Sequence, residues 1–251
     1  LNQFSLLFFK ILTKSPKRPN SKTGVLMTRT ISSIKMQRKN TNRVSIYLDG
    51  IYSFGLSKIT AAWLKVGQNL EEDEVEKLLS EDEIEVAYQR ALRFLSFKSR
   101  SIAEITNKLK TLGFSENIIG IVCARLIEKG YVDDKNFAET WVENRNVFRP
   151  RSHRILRWEL RNKKVAEEII DSVLDVTDPE EVLVRMAAEK YARKLISVET
   201  KEIFYRRLIS FLGRRGFSYQ VAIPAVNEMW QANIQIRTTN LIMENEVNNG
   251  E

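Results

Sequence analysis

The sequence predicts a mainly α-helical protein: tandem three-helix repeats of helix-turn-helix character form an elongated, curved stack behind a small β-hairpin-containing N-terminal segment. Two observations carry this. First, an apolar frame recurs three times. Leu109, Gly113 and Phe114 are followed by Ile118, Ile119 and Val122; then Leu160, Lys164 and Val165 by Ile169, Ile170 and Val173; then Leu212, Gly216 and Phe217 by Val221, Ala222 and Ala225. The steps from Leu109 to Leu160 and from Leu160 to Leu212 are 51 and 52 residues, and Ile105, Leu156 and Leu208 recur in register. So steady a spacing implies one supersecondary unit used three times. Second, the period changes to two between Arg29 and Leu70, where Val44, Ile46 and Leu48 alternate before Asp49-Gly50, a strong hairpin signal.

Taken in order, residues 1–27 are expected to be a disordered extension with Met27 as the start. The apolar run at 6–12 is broken by Lys10 and followed by Lys14, Lys17 and Arg18, which makes a poor signal peptide. Residues 28–80 form the β-rich segment. The hairpin pairs Leu48 with Ile51 and puts Tyr47 and Tyr52 together on the other side, Ile34 and Met36 supply a third strand, and a helix near 57–64 covers the sheet. An acidic helix over 71–79 leads into the first repeat, 81–130, with helices starting near Glu83, Ile102 and Glu116. Ser101 with Glu104 is a capping box, Gly113 supplies the left-handed residue that ends the helix, and Ser115 caps the next one with Phe114 stapled onto Ile119. The second repeat, 131–177, opens on Gly130-Tyr131-Val132-Asp133-Asp134, whose two carboxylates are a helix cap and a first-turn acid. The third, 178–236, begins with Asp178 as cap, Pro179 at the first helical position and Glu181. Residues 237–251 are expected to be a disordered tail.

Composition narrows the function classes. No apolar run approaches the roughly 20 residues of a membrane span. The one cysteine, Cys123, lies at an apolar helix position and reads as a buried inert thiol, and the one histidine, His153, argues against a His-based metal site. Phosphate-binding glycine loops, dinucleotide fingerprints and nucleophile elbows are missing from the sequence, so no cofactor and no catalytic residues are expected.

Charge carries the functional signal. Residues 71–85 hold nine acids against Lys77, whereas Arg145, Arg149, Arg151, Arg154, Arg157, Arg161, Lys163 and Lys164 stand against one acid, Glu159. At about 100° per residue Arg154, Arg157 and Arg161 share the face opposite Leu156 and Leu160, with Arg151 at its border and Trp158 among them. An aromatic side chain on a basic face suits nucleobase stacking or cation–π contact. Arg206, Arg207, Arg214 and Arg215 form a second cluster, part of which serves the helix C-terminus.

The stretch Ala91-Leu92-Arg93-Phe94-Leu95, Ser99-Arg100-Ser101, Glu104 with Leu109, Gly130-Tyr131 with Asp133-Asp134, Phe137-Ala138, Glu159-Leu160-Arg161 with Lys163, and Phe211-Leu212 with Arg214-Arg215-Gly216-Phe217 together resemble the RecX family of recombinase regulators. The resemblance covers residues 84–229, and the β-rich segment resembles the N-terminal extension of some members. Two departures stand out: Lys164 where the family has glycine, which implies another helix ending, and Ser152 near a position often held by glycine. The resemblance implies a cytoplasmic, non-enzymatic protein that binds RecA, lodges in the groove of the RecA–single-stranded DNA filament and restrains strand exchange, ATP hydrolysis and co-protease activity in DNA repair and the SOS response. The basic residues named above are the expected filament or DNA contacts, and a monomer is expected because no long heptad pattern is present. The competing reading is a tandem helix-turn-helix protein acting on duplex DNA without RecA. The acids Glu167, Glu168 and Asp171 on the helix after the turn speak against it.

Overall fold

The computed structural model describes residues 28–198 and 200–248, so the extension expected at 1–27 lies outside the described residues. The chain divides into two compact units, one ending at Glu85 and the other beginning at Val86.

The first unit is a four-stranded antiparallel sheet of order β3-β2-β1-β4, with β1 Arg29–Gln37, β2 Asn40–Leu48, β3 Ile51–Ser57 and β4 Asn69–Leu70. Asp49 (φ 50°) and Gly50 (φ 86°) both adopt positive φ, as a two-residue type I′ turn demands. The register is the one the alternation predicts: Leu48 pairs with Ile51 and Tyr47 with Tyr52. One face buries Ile31, Val44, Ile46, Leu48, Phe54 and Leu56, closed by Ala61 and Leu70. The covering helix expected near 57–64 contracts to a 3₁₀ turn, Thr60–Trp63. Val75 and Leu78, from helix α1 (Glu72–Leu95), help to cover that face. The acidic helix therefore does not stop near Leu79. Neither glycine nor proline interrupts 71–95, and Glu72, Asp73 and Glu74 sit at the positive end of the helix dipole.

The second unit continues with α2 Ile102–Thr111, α3 Glu116–Glu128, α4 Asp134–Phe148, α5 His153–Asn162, α6 Glu167–Leu174, α7 Glu180–Ala192, α8 Lys201–Arg214 and α9 Tyr219–Asn248. These form the tandem three-helix pattern, and Leu109, Leu160 and Leu212 are each fully buried at the repeat centres. Around Leu160 pack Phe137, Ala138, Val142, Leu156, Val165 and Ile170. Around Leu212 pack Leu183, Ala187, Phe204, Leu208, Phe217 and Val226. Burying a leucine this fully contributes about 1.5–3 kcal/mol, so the recurring frame is the framework of the fold.

Four local expectations change. Pro179, not Asp178, occupies the position before α7: it is extended (φ −54°, ψ 152°), and its carbonyl accepts the Val182 and Leu183 N–H groups. The tail expected to be disordered from 237 onward continues α9 to Asn248. No glycine or proline interrupts 237–248, and extending a formed helix avoids the cost of nucleation. Cys123 is half-buried, 3.7 Å from the Thr106 hydroxyl, rather than a core thiol. Finally, Lys164 does not impose another helix ending. Gly113 (φ 91°), Lys164 (φ 58°) and Gly216 (φ 91°) all adopt the left-handed conformation. Phe114, Val165 and Phe217 each donate their N–H back to Leu109, Leu160 and Leu212, closing the same Schellman ending three times. Ser152, the other departure, is an ordinary extended N-cap whose hydroxyl accepts from the Ile155 N–H.

Candidate functional site

The middle helices of the three repeats, α2, α5 and α8, meet end to end. At the first joint the Ser101 hydroxyl, which also caps α2, donates to the Lys163 carbonyl at the end of α5 (2.8 Å), and the Lys163 ammonium pairs with Glu104 (2.7 Å). At the second, the Ser152 N–H at the start of α5 donates to the Arg215 carbonyl at the end of α8 (3.1 Å). Ser101 and Ser152 are fully buried. Each joint sets the positive end of one helix dipole against the negative end of the next. Asp134 strengthens the first joint by accepting the Ile102 N–H at 2.9 Å, and burial holds its carboxyl above the usual range despite that bond.

The basic residues expected to act together divide into three groups. Arg157 and Arg161 are tied to α6: Arg157 pairs with Glu167 and Asp171, and Arg161 pairs with Glu167 at 2.7 Å. The hydrogen bonds from Arg161 and then Arg157 pull the Glu167 carboxyl down to about 2. Trp158 beside them is 61% exposed.

A second group surrounds Glu159, which is 7% exposed. Its carboxylate accepts from the Trp141 indole N–H (2.7 Å), Arg145 Nε (2.8 Å) and Arg151 (2.6 Å). The Arg145 guanidinium lies 4.6 Å and the Lys163 ammonium 5.2 Å from the Trp141 ring centroid. A cleft of about 310 Å³ opens beside this ring, lined among others by Lys98, Ser99, Thr140 and Asn144. Sequence reasoning missed Trp141. The signal for it is its spacing, four residues after Phe137 and four before Arg145 on one helix face.

The third group gathers at the second joint. Arg215 donates to the Pro150 carbonyl (3.0 Å) and stacks on Phe211 at 4.5 Å, while Arg154 reaches the Gly216 carbonyl (3.4 Å). Burial, with Arg151 and Arg149 pushing the same way, draws the Arg215 guanidinium below its usual range. Like charges are thus held together here with Glu159 as the nearby carboxylate. Arg149, Lys164, Arg206, Arg207 and Arg214 make no ion pair or side-chain hydrogen bond among the described residues. Arg206 and Arg207 lie on α8, a turn or more before the joint.

His153 is half-buried, its Nε2 3.0 Å from the Asp178 carbonyl, so it links the second repeat to the third. Asp133 caps α4 through the Lys135 N–H, as its context predicts. Among the described residues no group of three or more His, Cys, Asp or Glu is placed to hold a metal ion, and no helix is long and apolar enough to cross a membrane.

Comparison with known proteins matches the N-terminal sheet and the first two repeats to family models. Residues 29–71 match the regulatory protein RecX N-terminal domain, 87–134 the first RecX three-helix domain and 133–174 the second. The regulatory protein RecX of Bacillus licheniformis is 30% identical over 205 residues, covering 79% of this chain and 76% of that protein. The chain belongs to the RecX family. A crystal structure of regulatory protein RecX superposes with a TM-score of 0.60 at 28% identity, covering 77% of this chain and 96% of that one. RecX from Lactobacillus salivarius gives 0.51 at 25% identity over 59% of this chain and 97% of that one. The RecX relatives are named regulatory proteins.

Proposed function

We propose that this RecX-family chain is a non-enzymatic, cytoplasmic, monomeric regulator that binds RecA and the RecA–single-stranded DNA filament and mainly restrains its recombinase, ATPase and co-protease activities. The observation that carries the reading is the second joint, where Arg149, Arg151, Arg154 and Arg215 converge with Glu159 as the nearby counter-charge. Such a site gains by meeting phosphates or carboxylates of a partner, because they relieve the mutual repulsion of the cluster. The geometry disfavours the duplex-reading alternative. A recognition helix offers free polar side chains to base edges, but Glu167 and Asp171 of α6 are already engaged by Arg157 and Arg161.

The test is the ATPase rate of the cognate RecA on single-stranded DNA, titrated with the protein beside a DNA-only binding control at the same salt. Suppression at or below one regulator per RecA is expected. An unchanged rate despite tight DNA binding would transfer the function to DNA alone.

A further inference from the structure

The face of the N-terminal sheet opposite its core carries a feature that the joints do not explain. Residues 28–70 hold seven lysines and arginines against a single acid, Asp49. Across this face the register sets Ser33 beside Tyr47 and Tyr47 beside Tyr52, and in the next row Lys35 beside Ser45 and Ser45 beside Gly55. The two tyrosine rings meet edge to face, with centroids 5.9 Å apart and planes at 76°. The Lys35 ammonium lies 4.9 Å from the Tyr47 ring centroid. Tyr52 is 55% exposed, and Lys35 is exposed as well. The Gln37 amide covers Gly55 and donates to the Ser45 hydroxyl (3.4 Å), so the part of this face left open is the ring row that ends at Tyr52. Of the cations on β1, β2 and the turn that joins them, Arg43 is answered by Asp82 at 2.9 Å, whereas Arg29, Lys35 and the turn residues Arg38 and Lys39 have no ion pair among the described residues.

We propose that this outer face binds single-stranded nucleic acid, with a base stacked on Tyr52, Tyr47 holding that ring edge-on, and Lys35 with Arg38 and Lys39 meeting the backbone phosphates. Aromatic rings flanked by unpaired cations on an open sheet supply the two interactions that single strands need, a π-face for an unstacked base and positive charge along the backbone. A duplex keeps its bases stacked and offers this ring nothing to stack on. An acidic peptide would use the lysines and leave the tyrosines idle.

The experiment uses the full chain and a fluorescent oligothymidylate of about 20 nucleotides, enough to span a single-strand site. Arg149→Glu and Arg154→Glu are added as a background that silences the second joint, so the outcome is independent of the RecA reading. Tyr52→Ala should weaken binding about fivefold or more while Tyr52→Phe retains it, because stacking needs the ring and not the hydroxyl. Lys35→Glu should weaken binding too, and a 5-iodouracil oligonucleotide should photocrosslink to Tyr52. Circular dichroism melts confirm that each variant is folded. The proposal is overturned if folded Tyr52→Ala binds like its parent, if Tyr52→Phe is as weak as Tyr52→Ala, if only Lys35→Glu matters, if the crosslink maps elsewhere, or if duplex of the same length loses affinity equally.

Discussion

The three left-handed residues that end α2, α5 and α8 share one backbone role with different side chains and surroundings, so they separate conformational strain from steric clash. A Cβ added at Gly113 meets nothing within 4 Å, whereas at Gly216 it would lie 2.3 Å from Ile155 Cγ1 and 2.4 Å from the Ser152 hydroxyl. Gly113→Ala should therefore cost about 1 kcal/mol, the penalty of a side chain at positive φ. Gly216→Ala should cost a further 1–3 kcal/mol or so for overpacking at the joint. Lys164→Gly should instead stabilise by up to about 1 kcal/mol, since lysine already bears the strain that glycine lacks. Urea unfolding of the three variants checks the order, and a Gly216→Ala loss no larger than that of Gly113→Ala would refute the tight joint. The glycine endings were legible in the sequence because glycine announces positive φ. The conformation of Lys164 was not, because a lysine side chain says nothing about φ, and only the repeat register pointed to it.

Between elements, the end-to-end joints concentrate stability in a few buried polar groups. Ser101→Ala removes an N-cap and also leaves the Lys163 carbonyl without its donor, so it should cost about 2–3 kcal/mol, against about 1 kcal/mol for Ser115→Ala, which loses only an exposed cap. Equal losses in thermal or urea unfolding would show that the cross-joint bond contributes nothing. Acid should act on the same contacts. Burial alone would raise Glu104, but the hydrogen bonds from Lys163 and the Ser101 N–H, with the charges of Lys163 and Arg100, leave its carboxyl below the usual range; Glu167 is held down at about 2 by Arg161 and Arg157. A carboxyl lowered in the folded state stabilises it above the unfolded value of about 4.5, and that contribution fades as pH falls towards the folded value. Stability should therefore drop as pH falls from about 4.5 towards 2, and Glu167→Gln should flatten the part due to α5 and α6. A pH profile identical in parent and variant would rule out that network as a contributor. The caps and apolar stripes behind these joints were readable because capping boxes and helical periodicity are local. The bonds from Ser101 to Lys163 and from Ser152 to Arg215 join residues more than sixty positions apart, and no local pattern encodes such partners.

For the whole molecule, net charge +8 makes attraction to a polyanion a general property, and what matters is which cations remain free to express it. The sequence showed the arginine run 145–164 as one block, but folding divides it. Arg157 and Arg161 are matched by Glu167 and Asp171, Arg145 and Arg151 share Glu159, and Arg149 stays unpaired among the described residues, with Arg154 held only by a carbonyl. A phosphate met by a free cation contributes fully to affinity and salt dependence, while one met by a cation already paired must first break that pair. Arg149→Glu with Arg154→Glu should hence weaken binding to single-stranded DNA and to the RecA filament about tenfold or more. If each arginine meets one phosphate, the salt slope on single strands should shrink by about 1.4, because each phosphate neutralised on a single strand adds roughly 0.7 to it. Arg157→Gln with Arg161→Gln should leave both affinities within about twofold, because the two charges removed were already answered by Glu167 and Asp171. Salt titrations of both double variants by fluorescence anisotropy decide the matter. If the Gln pair instead loses as much affinity and slope as the Glu pair, the α5–α6 ion pairs must open on binding, and the contact surface follows the whole arginine face, not the joint between the second and third repeats.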